Sequence, residues 1–132
     1  MDVNVHVEYK EKHIFAVHTE NSQSSFYIDK KEEGYTPLGA NSLELLLSSL
    51  AGCIGVYANS YLTRHDIGFT YLKTTAHAQL AQSSPQRLTD ITVQVHTDAD
   101  IGDKKDVFMR FIHNCPVHNT LLHTEGVNIE LK

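Results

Sequence analysis

The sequence contains very little cysteine, and its two cysteines are far apart. Only Cys53 and Cys115 are present among 132 residues, and neither belongs to a Cys-x-x-Cys pair. This spacing excludes a zinc ribbon, which needs paired cysteines, and leaves burial, a mixed metal site or redox chemistry as the roles open to each thiol. A structural disulfide is not expected, because a cytosolic chain keeps its thiols reduced.

Positive charge and long apolar runs are also scarce. Eleven Lys and Arg residues stand against 16 Asp and Glu residues, for a net charge of −5, so the chain should repel a nucleic-acid backbone. The apolar stretches fall short of the roughly 18 residues that span a bilayer, and the amino terminus has no basic segment followed by an apolar one. These absences predict a cytoplasmic protein that binds neither nucleic acid nor membrane.

The composition is that of an ordinary globular domain. Hydrophobic residues make up 41% of the chain and charged residues 20%, which is enough apolar surface to bury a core. A chain of 14.8 kDa is too small for two independent cores of ordinary stability. We therefore predict a single domain over residues 1–132.

The amino-terminal part of the sequence predicts three short strands. Apolar and polar residues alternate around Val5, Ile14 and Phe26, with turn-forming segments at residues 9–12 and 21–24. The residues that follow, up to Gly39, are charged and rich in Gly and Pro, so they predict an exposed loop.

A long helix is predicted from Asn41 or Ser42 to about Arg64. Either residue can cap the helix, and Glu44 suits its first turn. Apolar residues surround the axis, and charge is almost absent between Glu44 and Arg64, a pattern typical of a helix buried on all sides. In a chain of this size a second subunit is the most economical cover for such a helix, so we predict a homodimer.

The carboxy-terminal half predicts a longer hairpin followed by two helices and a strand. Strands are expected over residues 69–81 and 88–97, helices over 100–114 and 116–123, and a final strand over 127–131. Pro116 suits the first position of the last helix, which would place Cys115 at its N-cap. The order of the elements predicts an α+β fold.

Each cysteine has a reactive and an inert interpretation. Unsatisfied N–H groups and the helix dipole would favour the thiolate of Cys115 at a helix N-terminus, but a small buried residue can equally end the preceding helix there. Cys53 lies in mid-helix among apolar residues, where an inert thiol is the commoner outcome. Its helix face also carries the hydroxyls of Ser49 and Tyr57, which predict a pocket unless the serines bond back to the helix backbone.

Two segments resemble the OsmC/Ohr family: residues 41–53, NSLELLLSSLAGC, and residues 114–118, NCPVH. The predicted element order agrees as well, over nearly the whole chain. The resemblance implies an intertwined homodimer in which antiparallel sheets pack around a long central helix. It also implies a peroxiredoxin-like oxidoreductase activity in the oxidative stress response: Cys53 reduces organic hydroperoxides, Cys115 resolves the oxidised sulfur as a disulfide, and a dithiol reductant restores both thiols without a cofactor.

The resemblance further implies a thiolate-stabilising pair that this sequence lacks. Peroxidases of the family resemble one another in pairing an arginine of the first strand turn with a glutamate. Here the first arginine is Arg64, and Leu43 occupies the position of the glutamate. Lys10, Lys12 and Glu44 are the candidates for this role, although an ammonium lacks the bidentate fork of arginine. The chain is most similar to a branch of the family that has both cysteines without the arginine.

Further interpretations concern the pocket, a metal and the function itself. Ser49, Tyr57 and Tyr61 are candidates for an apolar substrate pocket, although such aromatic residues more often belong to the core. A non-enzymatic module that binds a small apolar ligand or senses oxidants is the alternative function. A weaker alternative is a mixed zinc site within a cluster of Cys and His residues: His113, Cys115, His118 and His123.

Overall fold

The computed structural model describes residues 1–132 as an α+β fold with antiparallel sheets and one long helix, which confirms the predicted class. Its elements are, in chain order, β1 (Val5–Glu11), β2 (Ile14–Thr19), β3 (Ser25–Ile28), α1 (Ser42–Arg64), β4 (Leu72–Leu80), β5 (Leu88–Thr97), α2 (Lys105–Ile112) and α3 (Pro116–His123). The chain forms two compact units, Met1–Leu46 and Leu47–Lys132. The single domain over residues 1–132 stays a prediction.

The first unit contains a three-stranded antiparallel sheet in the order β1-β2-β3. Tyr9 lies opposite Phe15, and Val17 lies opposite Phe26, so alternate apolar residues share one face of the sheet. Most of that face is open, because Tyr9 is 57% and Phe26 46% exposed, whereas Val17 is buried. The three predicted strands are therefore confirmed, with an apolar face that the chain itself leaves largely uncovered. The turn predicted at residues 9–12 is wrong in position, because Tyr9 and Glu11 still pair with β2 and the chain turns at Lys12, which has a φ of 50°.

Buried Asp29 anchors the loop between β3 and α1. Its carboxylate accepts hydrogen bonds from the Lys30 N–H (2.7 Å), the Tyr35 hydroxyl (2.6 Å) and the Leu38 N–H (2.9 Å). His13 Nδ1 also lies 2.6 Å from Asp29 Oδ1. Burial by itself raises the pKa of Asp29, but these contacts outweigh it and lower the pKa to about 2. One buried charge thus orders a loop that the sequence predicted to be exposed.

Helix α1 begins with a capping box. Asn41 Oδ1 accepts a hydrogen bond from the Glu44 N–H (2.8 Å), and Glu44 Oε1 accepts one from the Asn41 N–H (3.0 Å). This reciprocal pair satisfies two backbone donors at the helix start. The predicted start of the helix is confirmed, and one role of the Glu44 carboxylate is structural.

Within the single chain, α1 is buried along one side. Its buried residues are Leu50, Ala51, Ala58, Tyr61 and Leu62. By contrast, Leu46 is 39% and Val56 65% exposed. The burial on all sides that the sequence predicts is therefore not reached by the chain alone.

The length and composition of α1 also correct one expectation. The helix has 23 residues, and an 18-residue window within it has a mean hydropathy of 1.4. It is therefore long and apolar enough to cross a membrane, and 28% of that window is buried. The sequence pattern had predicted no segment of that kind. Core helices of soluble proteins meet the same criterion, so it does not by itself assign α1 to a membrane.

In the second unit, the antiparallel hairpin of β4 and β5 pairs Leu72 with Thr97 at one end and Leu80 with Leu88 at the other. The Thr74 hydroxyl donates a hydrogen bond to the Ala51 carbonyl (3.0 Å), which joins the hairpin to α1. The core of the unit combines residues of α1 and α2, namely Ala58, Tyr61, Leu62, Phe108 and Ile112. This packing fixes the middle of α1 relative to α2.

Three further predictions, one strand and the starts of two elements, are wrong for local reasons. Residues 127–131 form no strand, because no neighbouring strand supplies hydrogen bonds and Val127 is 83% exposed. Helix α2 begins at Lys105 rather than at residue 100, since Gly102 turns the chain with a φ of 62° and its N–H binds the side chain of residue 100. Strand β4 begins at Leu72, because the N–H groups of residues 70 and 71 donate to the Asp98 carboxylate.

Candidate active site

The fold brings the two cysteines together, although they are far apart in the sequence. Cys53 lies in the middle of α1, and Cys115 is the N-cap of α3, as the sequence predicted. The two side chains are neighbours, close enough for the Cys115 thiol to raise the pKa of Cys53, and both thiols are free. Two neighbouring thiols are placed for exchange chemistry with one another.

The first turn of α3 directs backbone N–H groups at both sulfur atoms. Pro116 occupies the first helical position and has no N–H. The next N–H, that of Val117, donates to the Cys53 sulfur, and the His118 N–H donates to Cys115 Sγ at 3.5 Å. The unsatisfied donors of one helix start therefore serve the two thiols together.

The two thiols differ in exposure. Cys115 is completely buried, whereas Cys53 is half-buried, so a reagent from solution reaches the Cys53 sulfur first. Burial raises the pKa of Cys53, the hydrogen bond with Cys115 raises it further, and the Val117 N–H opposes both effects. The resting pair is therefore expected to hold Cys53 as a thiol that needs a proton acceptor to become a nucleophile.

A mostly apolar groove lies next to the turns of α1 and α3 that carry the cysteines, and neither cysteine is among its lining residues. Its volume is about 1090 Å³, and it is bounded by α1, β5, α2 and α3. Leu50 and Ile54, which flank Cys53 on α1, line one wall, and His118 lines another. Both size and lining are typical of a site for a small ligand with an apolar part.

The residues predicted to stabilise a thiolate make other contacts. Lys10 Nζ lies 3.8 Å from Glu8 Oε2, and Lys12 Nζ lies 5.7 Å from the centre of the Tyr35 ring. Both lysines belong to the first unit, whereas the cysteines belong to the second. Together with the capping role of Glu44, these contacts leave the Val117 N–H as the one group shown to stabilise a charge on Cys53.

The residues predicted to form the substrate pocket do not line this groove. Ser49 is exposed on α1. Tyr57 packs against Phe111 with ring centres 5.8 Å apart. Tyr61 is buried in the core, and its hydroxyl has no hydrogen-bond partner. The structure thus gives the two tyrosines packing roles and forms its groove from other residues.

The cluster of His and Cys residues around α3 is not arranged as a metal centre. No group of three or more His, Cys, Asp or Glu side chains in the structure is placed to hold a metal ion. His113 and His118 do meet, with ring centres 5.3 Å apart. The N–H groups of Val117 and His118 were not predicted to face the thiols. Pro116 at the helix start was the available signal, because it makes their N–H groups the first free donors.

The fold and the site together define an α+β protein with a pair of neighbouring free thiols at a helix start. The model of the OsmC-like protein family matches residues 33–132. The chain belongs to this family, which confirms the resemblance of the two cysteine segments. A search of curated proteins finds no significant match.

Several solved structures are similar to this chain. The OsmC-like protein from Mycoplasma pneumoniae has 19% sequence identity and a TM-score of 0.79, with 94% of this chain and 89% of that chain covered. The organic hydroperoxide resistance protein OhrB of Bacillus subtilis has 16% identity and a TM-score of 0.62, covering 94% and 93%. The organic hydroperoxide resistance protein OsmC from Legionella pneumophila has 14% identity and a TM-score of 0.61, covering 92% and 89%. At these identities the likeness establishes the fold.

Proposed function

We propose that the protein reduces organic hydroperoxides with thiols, Cys53 attacking the peroxide and Cys115 resolving the oxidised sulfur. The observation that carries the proposal is the pair of neighbouring free thiols with unequal exposure. The half-buried member of such a pair meets the oxidant, and the completely buried member can reach only its partner. Family members named for organic hydroperoxide resistance support the same chemistry.

The reaction has three balanced steps. The Cys53 thiolate attacks the terminal oxygen of the hydroperoxide; the O–O bond breaks, an S–O bond forms, and the leaving alkoxide takes a proton to become an alcohol. Cys115 then attacks the sulfenic acid, forming the disulfide and releasing water. An external dithiol reduces this disulfide by exchange and is itself oxidised to a disulfide.

Stabilisation of the thiolate is assigned in this proposal to the Val117 N–H, which donates to the Cys53 sulfur. An N–H group that faces a developing anion favours it without carrying a full charge. Lys10, Lys12 and Glu44 stay candidates for an additional contribution. Replacing each by Ala, and finding no change in the rate at which Cys53 is oxidised, would remove them from the site.

Turnover in cysteine variants tests the function directly. Wild-type protein should consume cumene hydroperoxide with dithiothreitol, and Cys53→Ser should abolish consumption. Cys115→Ser is the matched control, because it should still react once and accumulate the Cys53 sulfenic acid, which a dimedone label detects. Equal turnover in Cys53→Ser and wild type would overturn the proposal.

A homodimer is proposed as the assembled state. The apolar sheet face of the first unit and the exposed side of α1, including Val7 (46% exposed) and Val56 (65% exposed), are surfaces that a second copy would cover. Light scattering should give twice the chain mass of 14.8 kDa. A monomer at micromolar concentration would contradict this assignment.

Cellular context follows from the chemistry of the pair. Two neighbouring thiols that remain free suit a reducing compartment, and we place the protein in the cytoplasm, where it would act in the response to oxidative stress. Cell fractionation checks the location. Recovery of the protein only in its disulfide form from unstressed cells would argue against a reducing compartment.

The groove favours a second candidate function, the binding of a small apolar ligand without turnover or the sensing of oxidants. Its apolar wall includes Phe108, Leu121 and Leu122 beside α1. Saturable binding of a fluorescent apolar probe, with no hydroperoxide consumption, would favour this function over the reductase. Absence of both probe binding and an oxidation-dependent change would reject it.

A further inference from the structure

Two turns of the first unit are held against each other by aromatic and charged side chains. The turn between β1 and β2 carries Lys12 and His13, and the turn 32–35 is closed by a hydrogen bond from the Tyr35 N–H to the Glu32 carbonyl (3.1 Å). The His13 and Tyr35 rings meet at an angle of 74° with centres 5.8 Å apart, and Lys12 Nζ lies 5.7 Å from the centre of the Tyr35 ring. The His13 imidazole therefore lies where the two turns meet.

Both ring nitrogens of His13 face carboxylate oxygens. Nδ1 lies 2.6 Å from Asp29 Oδ1, and Nε2 lies 3.3 Å from Glu32 Oε1. A neutral imidazole carries one N–H, so its second nitrogen would turn a lone pair toward a negatively charged oxygen. An imidazolium carries two N–H groups and can donate to both acids. The geometry therefore suits the charged form of His13.

The surroundings of His13 also favour a positive charge on its ring. The Asp29 side chain is fully buried and that of His13 is 23% exposed, so water and salt screen their attraction only weakly. The other charged or titratable groups of this cluster are Glu11, Lys12, Glu32 and Tyr35. Three carboxylates stand against one ammonium, because the Tyr35 hydroxyl donates to Asp29 and carries no charge. An imidazolium offsets this excess of negative charge.

We infer that His13 is a pH-sensitive lock on the turn 32–35. In its protonated form the ring joins Glu32 to buried Asp29 and so holds this turn against the turn between β1 and β2. When the ring loses its proton, one of the two contacts becomes a repulsion between a lone pair and a carboxylate. Glu32, whose side chain is 55% exposed, is then released to water, while Asp29 keeps its other donors. The lock does not involve the cysteine pair, which belongs to the second unit.

The lock should act between the pH at which the acids ionise and the pH at which the imidazole loses its proton. Carboxylates take up protons below about pH 4, and imidazole loses its proton between about pH 5 and 8. Stability that depends on a protonated group is present at low pH and is lost as pH rises through the ionisation of that group. The turn 32–35 should therefore be held most firmly near pH 5 and progressively less firmly toward pH 8.

Amide hydrogen exchange of the wild-type protein, read residue by residue by NMR, tests the lock. The reporter is the Tyr35 N–H, whose hydrogen bond to the Glu32 carbonyl closes the turn. Its protection factor, the ratio of the intrinsic exchange rate to the observed rate, removes the direct effect of pH on exchange. This factor should fall about threefold between pH 5 and pH 8. The protection factor of the Ile67 N–H, which is bound to the Leu62 carbonyl in the second unit, should stay constant.

Matched variants connect the effect to the imidazole. His13→Gln and Glu32→Gln should each lower the Tyr35 protection factor at pH 5 about threefold and should remove its dependence on pH. Glu33→Gln is the control and should behave as wild type, because Glu33 lies in the same turn but forms no ion pair with His13. The double variant of His13 and Glu32 should lose no more protection than either single variant, since both changes remove the same contact.

Either of two results would overturn the lock. One is a Tyr35 protection factor that stays the same in wild type between pH 5 and pH 8. The other is a pH dependence in folded His13→Gln that equals that of wild type. Glu32 is largely exposed, so Glu32→Gln keeps the test decisive if circular dichroism shows that His13→Gln does not fold. Retention of the wild-type pH dependence in Glu32→Gln would contradict the lock in the same way.

Discussion

Each of the two compact units buries an ionisable side chain, and the pKa values of these two groups move in opposite directions. In the first unit, burial of Asp29 is outweighed by the hydrogen bonds of Tyr35 and two backbone N–H groups, so that its pKa falls to about 2. In the second unit, burial raises the pKa of Cys53, against which only the Val117 N–H acts. The balance between burial and donated hydrogen bonds decides in which direction the pKa of each group moves.

The two units also differ in whether a tyrosine hydroxyl has a hydrogen-bond partner. Tyr35 donates its hydroxyl to Asp29 at 2.6 Å, and this bond, together with burial and nearby negative charge, raises the pKa of Tyr35 to about 12. The buried Tyr61 hydroxyl has no partner. The first unit uses this hydroxyl to fix a loop, whereas the second unit buries a tyrosine hydroxyl without a partner.

Acid should weaken the first unit selectively. Because the folded pKa of Asp29 lies near 2, below the ordinary value of 3.8, its stabilisation is present above pH 3.8 and is lost as pH falls toward 2. Asp29→Asn should lower Tm at pH 7 by about 5 °C or more and should flatten this pH dependence, whereas Asp2→Asn on the exposed terminus should do neither. Circular dichroism melts between pH 2 and 7 provide the measurement, and identical curves for Asp29→Asn and wild type would contradict the anchoring role.

Matched tyrosine variants should show the same difference between the two units as a difference in Tm. Tyr35→Phe removes a donor to a charged group and should lower Tm by a few degrees, roughly 3–6 °C. Tyr61→Phe removes a hydroxyl that has no partner, so Tm should stay within about 2 °C of wild type or rise. Calorimetry of both variants checks the contrast. An equal loss in the two proteins would show that the Tyr61 hydroxyl has a partner after all.

Removal of the Val117 N–H, the group that lowers the pKa of Cys53, should have the smallest effect of these changes. Val117→Pro deletes the N–H, so the Cys53 thiol should become still harder to ionise and its alkylation by iodoacetamide at pH 8 should slow about fivefold. Val117→Ala keeps the N–H and is the control. Circular dichroism must show intact helix content, because the residue before a proline disfavours helical backbone. An unchanged alkylation rate in a folded Val117→Pro protein would remove this N–H from the site.

Local pattern predicted much of the fold. Alternation placed β1, β2, β3 and β5, and capping residues placed the start of α1 at Ser42. Pro116, at the first position of α3, placed Cys115 at the N-cap of that helix. These features depend on neighbours in the sequence. The strand expected at residues 127–131 does not form, because it depends on a neighbouring strand. Alternation shows that a segment suits a strand but not that another strand lies beside it.

The site was less accessible to such reasoning. The resemblance implied that Cys53 and Cys115 act together, but their contact depends on how α1 and α3 pack. The local sequence made Cys115 the better thiolate candidate, whereas the structure buries it completely and leaves Cys53 within reach of solution. The groove was missed as well, because β5 and α2 contribute most of its lining and neither carries a recognisable motif.

The most direct test of the account is mass spectrometry of the wild-type protein under non-reducing conditions, before and after one equivalent of cumene hydroperoxide, with alkylation of the remaining thiols. We predict that the oxidised protein is lighter by two hydrogens, takes up no alkyl groups and yields a peptide that links Cys53 to Cys115. Protein that still takes up an alkyl group on each cysteine after exposure to the peroxide would contradict a redox role for the pair.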